Sequence, residues 1–508
     1  MVKNYFKTEV AIPRSNKYLL IIHEKKLRLS EHSILIKLCR CVFFMAFAVI
    51  VFCNRSFSQA GSSIISDKID TLIQALYSRE QFNGSILVSM NEKVVYKKAY
   101  GTSDIKKNIP FSISTPCYLA SVSKQFTAIG ILMLAQKKLL TLDDNLNKFF
   151  PDFPNGESIT VRQLLNHTSG IVNYEELGID NPNLTNQKVY ESLVAHKTLQ
   201  FQPVEKYEYS NSGYVLLAII IEKVSKLSFA DFMKKYVFEP LKMTNTFVYD
   251  KSNTQQSAAK AYGKFGEESD AIGNTTGDGG IYSTVEDLFK WDKALYTNKL
   301  ASQSILMEAF EPTVLSNGTK SFYGLGWMIK SDSAKKIVYH TGGSGGYRTY
   351  IERDLNRHNA IIILTNIENS PRREISQAIE NIFNNKPYEL PKISIATKMY
   401  NIKNDFGIDS AIRFYNFNKA SNNNKYDFSE QELNLLGYKL WSINKIDEAI
   451  EIFKMNIAAY PSSSNAYESL GEAYLKKDDK NQAETCFKES LKLDATNQDA
   501  IRMMKKIK

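Results

Sequence analysis

The stretch "LASVSKQFTAIGILMLAQ" (119–136) is almost wholly apolar, and Lys124 is the only charged residue from Asn108 to Gln136. Ser121 stands three positions before it, so on a helix the two side chains share a face, one turn apart. A buried ammonium without a counter-charge is disfavoured, and its pKa falls. A lysine lowered in this way can take the proton of a neighbouring serine hydroxyl near pH 7, and the N-terminus of a helix favours negative charge developing beside that serine. The chemistry implied is nucleophilic acyl transfer. The alternative is a lysine whose stem lies along the apolar face while its charge reaches the helix end. The spacing alone discriminates little. Ser103/Lys106, Ser333/Lys336 and Ser442/Lys445 share it, but only Ser121 opens a long apolar helix.

Two further segments join this pair. "YEYSNSGY" (207–214) holds Tyr209-Ser210-Asn211 just before an apolar run, and "HTGGSGGY" (340–347) lies between two strand-like runs. Ser-x-x-Lys, then Tyr/Ser-x-Asn, then Lys/His-Thr-Gly is the ordered set of β-lactamases and penicillin-binding proteins. On these residues the chain resembles the serine β-lactamase-like family, in the class C and D,D-peptidase branch where Tyr replaces the first Ser of the middle motif. "LLNHTSGI" (164–171), "EPLKMTNT" (239–246), "GDGGIYSTVEDLFKW" (277–291) and "YGLGW" (323–327) look like segments of the same family, and the resemblance covers about 67–385.

The resemblance implies a role for each matched residue. Ser121 attacks the carbonyl and is acylated, Lys124 and Tyr209 share the proton transfers (with the base not assigned between them), and a water-driven step restores Ser121. Asn211 binds the substrate amide and holds Lys124. The backbone N–H groups of Ser121 and Gly343 form an oxyanion hole, Gly342 lets substrate approach the strand edge, and His340 with Thr341 lines the far wall. No cofactor is implied, and the substrate is a small molecule or peptide: a β-lactam, a D-amino-acid peptide or an ester. Many β-lactamases have lysine where this chain has His340. A lysine is permanently charged and suits a substrate carboxylate, whereas histidine is largely neutral near pH 7, so weak β-lactam turnover is expected.

Two motifs compete for attention. "GGSGG" (342–346) fits Gly-x-Ser-x-Gly with Ser344 as nucleophile, but that elbow needs strand, turn and helix, and "YRTYIERD" reads as a strand; a glycine-rich hairpin is expected instead. His167 in "NHTSG" is expected to shape a turn. No metal-binding spacing of His or Cys occurs after residue 60, so no metal is expected. A reading from a different class is a non-catalytic protein that binds peptides or cell-wall fragments and recruits a partner through its C-terminal repeats.

These residues need elements to position them. "GSILVSM" (84–90) and "KVVYKKAYG" (93–101) read as a hairpin, and 323–330, 336–340, 347–353 and 360–366 as four more strands. Helical patterns fill the middle, at 121–137, 161–167, 187–196, 213–226 and 284–296. The expected fold is α/β (α+β). An antiparallel sheet, in which strands from the two ends of the region meet, packs against helices and an all-helical part, as in β-lactamases and transpeptidases. That domain is assigned to 61–385. A polar, Asn-rich segment (386–428) is expected as a linker or partly helical connector. In 429–508, Gly437 and Gly471, Ala449 and Ala483, and Phe453 and Phe487 all repeat at 34 residues, which resembles the tetratricopeptide repeat. Two copies and a final helix are too few to stand alone, so the array is expected to dock on the first region, either as a stabilising appendage or as a surface for a protein partner. Phe is expected to fill the gap between repeats.

The net charge of +10 is concentrated at the start: the first 60 residues hold ten Lys/Arg and three Asp/Glu, leaving 54 basic against 51 acidic. That balance excludes an electrostatic nucleic-acid binder. Arg40, the apolar run 41–54 and Ser58/Ala60 read as a signal peptide over 1–60, and the chain is expected to be exported to the periplasm or outer face. The alternatives are an uncleaved leader that tethers it and, less favoured because Phe52 is bulky, a lipoprotein through Cys53. Only Cys117 and Cys486 follow the leader, so no disulfide framework is expected, and no later run is long enough to span a membrane.

Overall fold

The computed structural model of the protein describes residues 63–179, 183–250, 258–269, 273–330 and 336–507; the expected leader, 1–60, lies outside them. Residues 68–508 form one compact unit. Among the described residues no helix is long and apolar enough to cross a membrane.

Helix α1 (63–78) leads into the hairpin β1 (Gly84–Met90) and β2 (Lys93–Tyr100). The remaining strands of the main sheet come from the far end of the first region: β3 (Met328–Ile329), β4 (Ile337–Ser344), β5 (Tyr347–Asp354) and β6 (Asn359–Thr365). The order is β3-β4-β5-β6-β1-β2, antiparallel throughout, and β1 meets β6 with Ile86 opposite Ile363. The two ends of the region therefore close on each other, as their strand patterns imply. The seven residues of β6 are all buried, so both of its faces are covered, which explains the unbroken run "AIIILT". Two strands differ from expectation. The run 323–330 contributes only Met328 and Ile329 to the sheet, and β4 runs on through His340–Ser344, leaving just Gly345 and Gly346 to turn. Backbone pairing overrides the loop-forming habit of those glycines.

Helices α2 (Lys124–Gln136) and α3 (Asn211–Ser225) cross in the centre of the helical part. Eleven of the thirteen residues of α2 are buried, Lys124 among them. Its apolar residues share one core with the sheet and with Trp291, whose ring stacks on Phe126 at 4.1 Å.

The segment after α4 (Arg372–Phe383) holds two full helices, α5 (Ile395–Phe406) and α6 (Ile408–Ala420). Then come α7 (Glu430–Ser442), α8 (Ile446–Ala459), α9 (Ser464–Lys476), α10 (Lys480–Leu493) and α11 (Gln498–Ile507). The repeat residues have a different task from the one expected. A Cβ on Gly437 would lie 2.4 Å from the Phe453 ring, and one on Gly471 would lie 2.8 Å from Phe487. Each Phe thus fills the space above the Gly of its own helix pair rather than a gap between repeats. The C-terminal helices rest on the first region through Glu432. Its carboxylate, 6% exposed, accepts hydrogen bonds from the Ser394 hydroxyl, the Ala396 N–H (3.1 Å) and Lys264 Nζ (3.3 Å). Phe265 packs on Tyr400, ring centroids 4.8 Å apart, and Lys439 pairs with Glu267 at 2.9 Å.

Candidate active site

The α-helix does not begin at Ser121. Ala120–Ser123 forms a 3₁₀ turn ahead of α2, and Ala120 has φ +48°, a left-handed conformation that a residue with a Cβ disfavours. The turn is held from three sides. Leu119 N–H donates to Ile281 O (2.8 Å), and Leu119 O accepts from Thr349 Oγ1 (2.7 Å) on β5. Gly342 on β4 lies against the same carbonyl: a Cβ there would fall 2.1 Å from both Leu119 O and Thr349 Oγ1. Gly342 is therefore buried beneath the nucleophile turn, not open to substrate as expected. Its missing side chain lets Ser121 sit close to the strand.

Lys124 is fully buried. Its Nζ donates to Asn211 Oδ1 (2.7 Å), to the main-chain carbonyl of Asp278 (2.8 Å) and to Ser121 Oγ (3.2 Å). Burial lowers its pKa from 10.5 to about 8, against the opposing pull of the Asp278 and Glu175 carboxylates. One turn further along α2, Thr127 Oγ1 donates to Gly277 O (2.8 Å), so Lys124 and Thr127 grip consecutive carbonyls of the turn "GDGG". Gly277 adopts φ +96°, and a Cβ on it would meet Tyr214 O at 2.3 Å, so only glycine lets this turn reach the two helices. The Asp278 side chain accepts from Tyr174 Oη (2.9 Å), and burial raises its pKa.

Asn211 is the first residue of α3. Its Oδ1 orients Lys124, its Nδ2 donates to Glu175 Oε1 (2.9 Å), and its N–H donates to Asn173 Oδ1 (3.1 Å). Ser212 ties the same loop down: its Oγ donates to Val172 O (2.7 Å) and accepts from Tyr174 N–H (2.8 Å). Residues 172–175 thus border the site. One of the Asn211 amide hydrogens is taken by Glu175.

Tyr209 is half-buried beside Ser121. Burial pushes its phenol well above the ordinary tyrosine range, and a hydrogen bond with Ser121 pulls the other way. Its ring lies 5.0 Å below Lys124 Nζ and 4.3 Å from the His167 imidazole. His167 is indeed a turn residue, at φ +60°, but it is also the floor under Tyr209. Its Nδ1 accepts from Ser210 N–H (3.2 Å), and burial next to Lys124 holds it neutral.

His340 is 0% exposed and does not reach the surface of the cleft. Its Nδ1 faces Thr341 O at 2.8 Å and its Nε2 faces Tyr323 Oη at 3.0 Å. The carbonyl can only accept, so the proton sits on Nδ1 and the tyrosine donates to Nε2. Burial and the nearby Lys124 push the imidazole down to about 3, so it stays neutral. The wall expected from His340 is a buried support, and only the half-buried Thr341 comes near the opening.

Because β3 pairs only with Val338 and Tyr339, residues 340–344 of β4 keep one edge free of strand pairing. Gly343 is the exposed residue on that edge. From where its Cβ would be, Arg348 Nη1 is 3.6 Å away and Arg372 Nη2 is 3.7 Å away. Arg348 is paired with Glu368 at 2.8 Å. Arg372 has no ion pair among the described residues, its Nε is buried without a partner, and burial beside Arg348 lowers it to about 10. Ser344 ends a strand and is followed by a turn and a second strand, which removes the nucleophile-elbow geometry.

The four residues expected to act first, Ser121, Lys124, Tyr209 and Asn211, therefore converge. Reasoning from the sequence missed Asp278, Tyr323, Glu175 and the arginine pair. The paired glycines around Asp278 were the one available signal of close main-chain approach.

Known proteins resemble this chain over the same region. A family model described as Beta-lactamase matches residues 69–382, and one described as Tetratricopeptide repeat matches residues 464–497. Penicillin-binding protein 4* of Bacillus subtilis (strain 168) is 34% identical over 64% of this chain and 77% of its own length. A penicillin-binding protein from Bacillus halodurans superposes with a TM-score of 0.56 at 25% identity, covering 61% of this chain and 99% of its own. The octameric penicillin-binding protein homologue from Pyrococcus abyssi gives 0.56 at 26% identity, covering 67% and 81%.

Proposed function

Because the chain belongs to the beta-lactamase family and is a serine hydrolase of amide, ester or β-lactam carbonyls, we propose that its substrates are D-amino-acid peptides cleaved through an acyl-enzyme on Ser121. The observation that carries this is Lys124: fully buried, lowered to about 8 and hydrogen-bonded to Ser121 Oγ at 3.2 Å. In its neutral form Lys124 takes the Ser121 proton as Oγ adds to the carbonyl carbon. Tyr209, a neutral phenol next to both, relays that proton from Lys124 to the leaving nitrogen as the C–N bond breaks, so Lys124 and Tyr209 both return to their neutral forms. The N–H groups of Ser121 and Gly343 receive the oxyanion. Water then adds to the ester under the same base, releasing the acid and restoring Ser121.

Neutral His340 supports peptide over β-lactam. The positive charge for a substrate carboxylate comes from Arg348 and Arg372, above the exposed Gly343, in place of a lysine in the strand. The test is intact-mass spectrometry of residues 61–508 after a serine-reactive phosphonate, with Ser121→Ala alongside. One adduct that vanishes in the variant is expected, together with slow cephalosporin turnover. Folded protein with no adduct would remove the enzymatic reading, and rapid cephalosporin hydrolysis would remove the preference for peptides. We further propose that the chain is exported with its leader cleaved after Ala60, which the signal-like sequence of 1–60 supports, and that the repeat array receives a protein segment.

A further inference from the structure

We propose that a polar cleft beside the first turn of α5 binds a free amino acid, held by its α-ammonium and its α-carboxylate together. The cleft holds about 280 Å³ and lies where three segments meet: residues 79–81 after α1, the loop 368–371 between β6 and α4, and 392–398 at the start of α5. None of Ser121, Lys124, Tyr209 and Asn211 lines it, so the proposal is independent of the acyl-enzyme reading.

Three side chains of its wall each bury a polar atom that has no hydrogen-bond partner: Gln81 Oε1, Asn369 Oδ1 and Ser370 Oγ. Gln81 and Ser370 are each 5% exposed. The two amides are fixed in direction. Gln81 Nε2 donates to Lys392 O (2.8 Å) and Asn369 Nδ2 donates to Lys264 O (2.9 Å), so each amide oxygen faces away from the carbonyl that holds its nitrogen. Folded proteins rarely bury an acceptor without a donor. A primary ammonium carries three N–H donors, one for each of these oxygens.

The charges of the wall define the other end of the ligand. Lys398 pairs with Glu80 (2.7 Å), Lys264 with Glu432 (3.3 Å) and Arg348 with Glu368 (2.8 Å). Arg79 and Lys392 also line the cleft and have no ion pair among the described residues. Asp427 is the one acid left over, and its Oδ1 already accepts from Ser429 N–H (3.0 Å). Two cations against one anion favour a ligand that brings a carboxylate as well as an ammonium. A sugar would satisfy the three oxygens but not the cations. An inorganic anion would answer the cations but set acceptors against acceptors. Arg348, in the wall of this cleft, also lies 3.6 Å from where a Cβ on Gly343 would be, so the two sites are neighbours through one guanidinium.

Saturation-transfer NMR titrations on the full chain test this, with glycine, L- and D-alanine, L-glutamine and L-lysine as probes. At least one is expected to bind with a Kd of about 1 mM or tighter. Its N-acetyl and α-carboxamide derivatives should each bind about tenfold more weakly. Ser370→Ala removes an oxygen that no protein group uses, so it should melt as wild type does while weakening the probe about tenfold. The double variant Arg79→Ala/Lys392→Ala should do the same at the carboxylate end, with both main chains intact. Binding by none of the five probes at about 10 mM overturns the proposal. So does binding that either variant retains in full, which would place the amino acid elsewhere, the catalytic cleft included. An N-acetyl derivative that binds as tightly as its parent overturns the ammonium site.

Discussion

Acylation of Ser121 is expected to follow the protonation of Lys124. Burial brings Lys124 to about 8, so roughly 1% is neutral at pH 6, 10% at pH 7 and 90% at pH 9. The second-order rate of phosphonate labelling should therefore climb about tenfold per pH unit from 6 to 7.5 and level off above about 8.5. No other group on the site supplies that limb. Tyr209 is pushed above the ordinary phenol range, and burial keeps His340 and His167 neutral. Tyr209→Phe should lower the plateau and leave the limb at the same pH. A profile flat from pH 6 to 9, on protein shown to be folded at each pH, would remove Lys124 as the base. A limb that moves in Tyr209→Phe would transfer the role. The same shift bears on stability. The folded pKa lies below the 10.5 of the unfolded chain, so the unfolded chain binds an extra proton between about pH 8 and 10.5. Stability from this group thus increases as pH rises through that window, and below it the whole deficit of about 3 kcal/mol stands.

The glycines of β4 should separate sharply. A Cβ on Gly342 meets Leu119 O and Thr349 Oγ1 at 2.1 Å, whereas one on Gly343 meets nothing closer than 3.6 Å. Gly342→Ala is expected to lose about 1–3 kcal/mol and most phosphonate labelling, with Gly343→Ala near wild type in Tm; equal melting temperatures would contradict the packing argument. Glu432→Ala removes the shared acceptor of Ser394, Ala396 and Lys264 and should cost about 2 kcal/mol of local stability. Hydrogen exchange should then quicken at the start of α5 and in α7; unchanged exchange there would mean that the aromatic contact of Phe265 with Tyr400 holds the array by itself.

The parts of the site that could be read from the chain are those in which one residue carries both a chemical type and a place on an element. Lys124 is visible because it is the only charge on an apolar helix, and Asn211 because it shortly precedes an apolar run of eight residues, 214–221, that becomes the core of α3. Strands β1, β2, β5 and β6 are visible through alternation or continuous burial. What escaped acts through the main chain or through pairs brought together by topology. Asp278 contributes a carbonyl, which every residue has. Glu175 is one acid among several in "NYEELGID", and only the Asn173 and Asn211 amides distinguish it from Glu176. Arg348 and Arg372 lie on a strand and a helix with β6 between them in sequence, and their meeting over Gly343 depends on the sheet order. The assignment of His340 to the far wall failed for a related reason: strand alternation turned its imidazole into the core, while the sequence shows only that it begins a motif.

That buried histidine accounts for the charge layout of the whole cleft. His340 is enclosed by Tyr323 and Thr341, one of which donates to it while the other accepts. A lysine has no acceptor for the Tyr323 hydroxyl, and its ammonium would face Lys124, whose charge already depresses the imidazole to about 3. A cation at position 340 would therefore raise the energy of protonated Lys124 and remove one acceptor of a buried hydroxyl. Moving the positive charge to Arg348 and Arg372, on the exposed side of Gly343, keeps it available to a substrate carboxylate. The order of events then follows. Carboxylate binding brings a negative charge into the cleft, which favours protonated Lys124, so acylation is quickest where the acyl half is held without a second anion. The Glu175 carboxylate acts in the same direction, because its charge raises the Lys124 pKa. On this argument the charges around the cleft set the fraction of Lys124 that is free to take the proton.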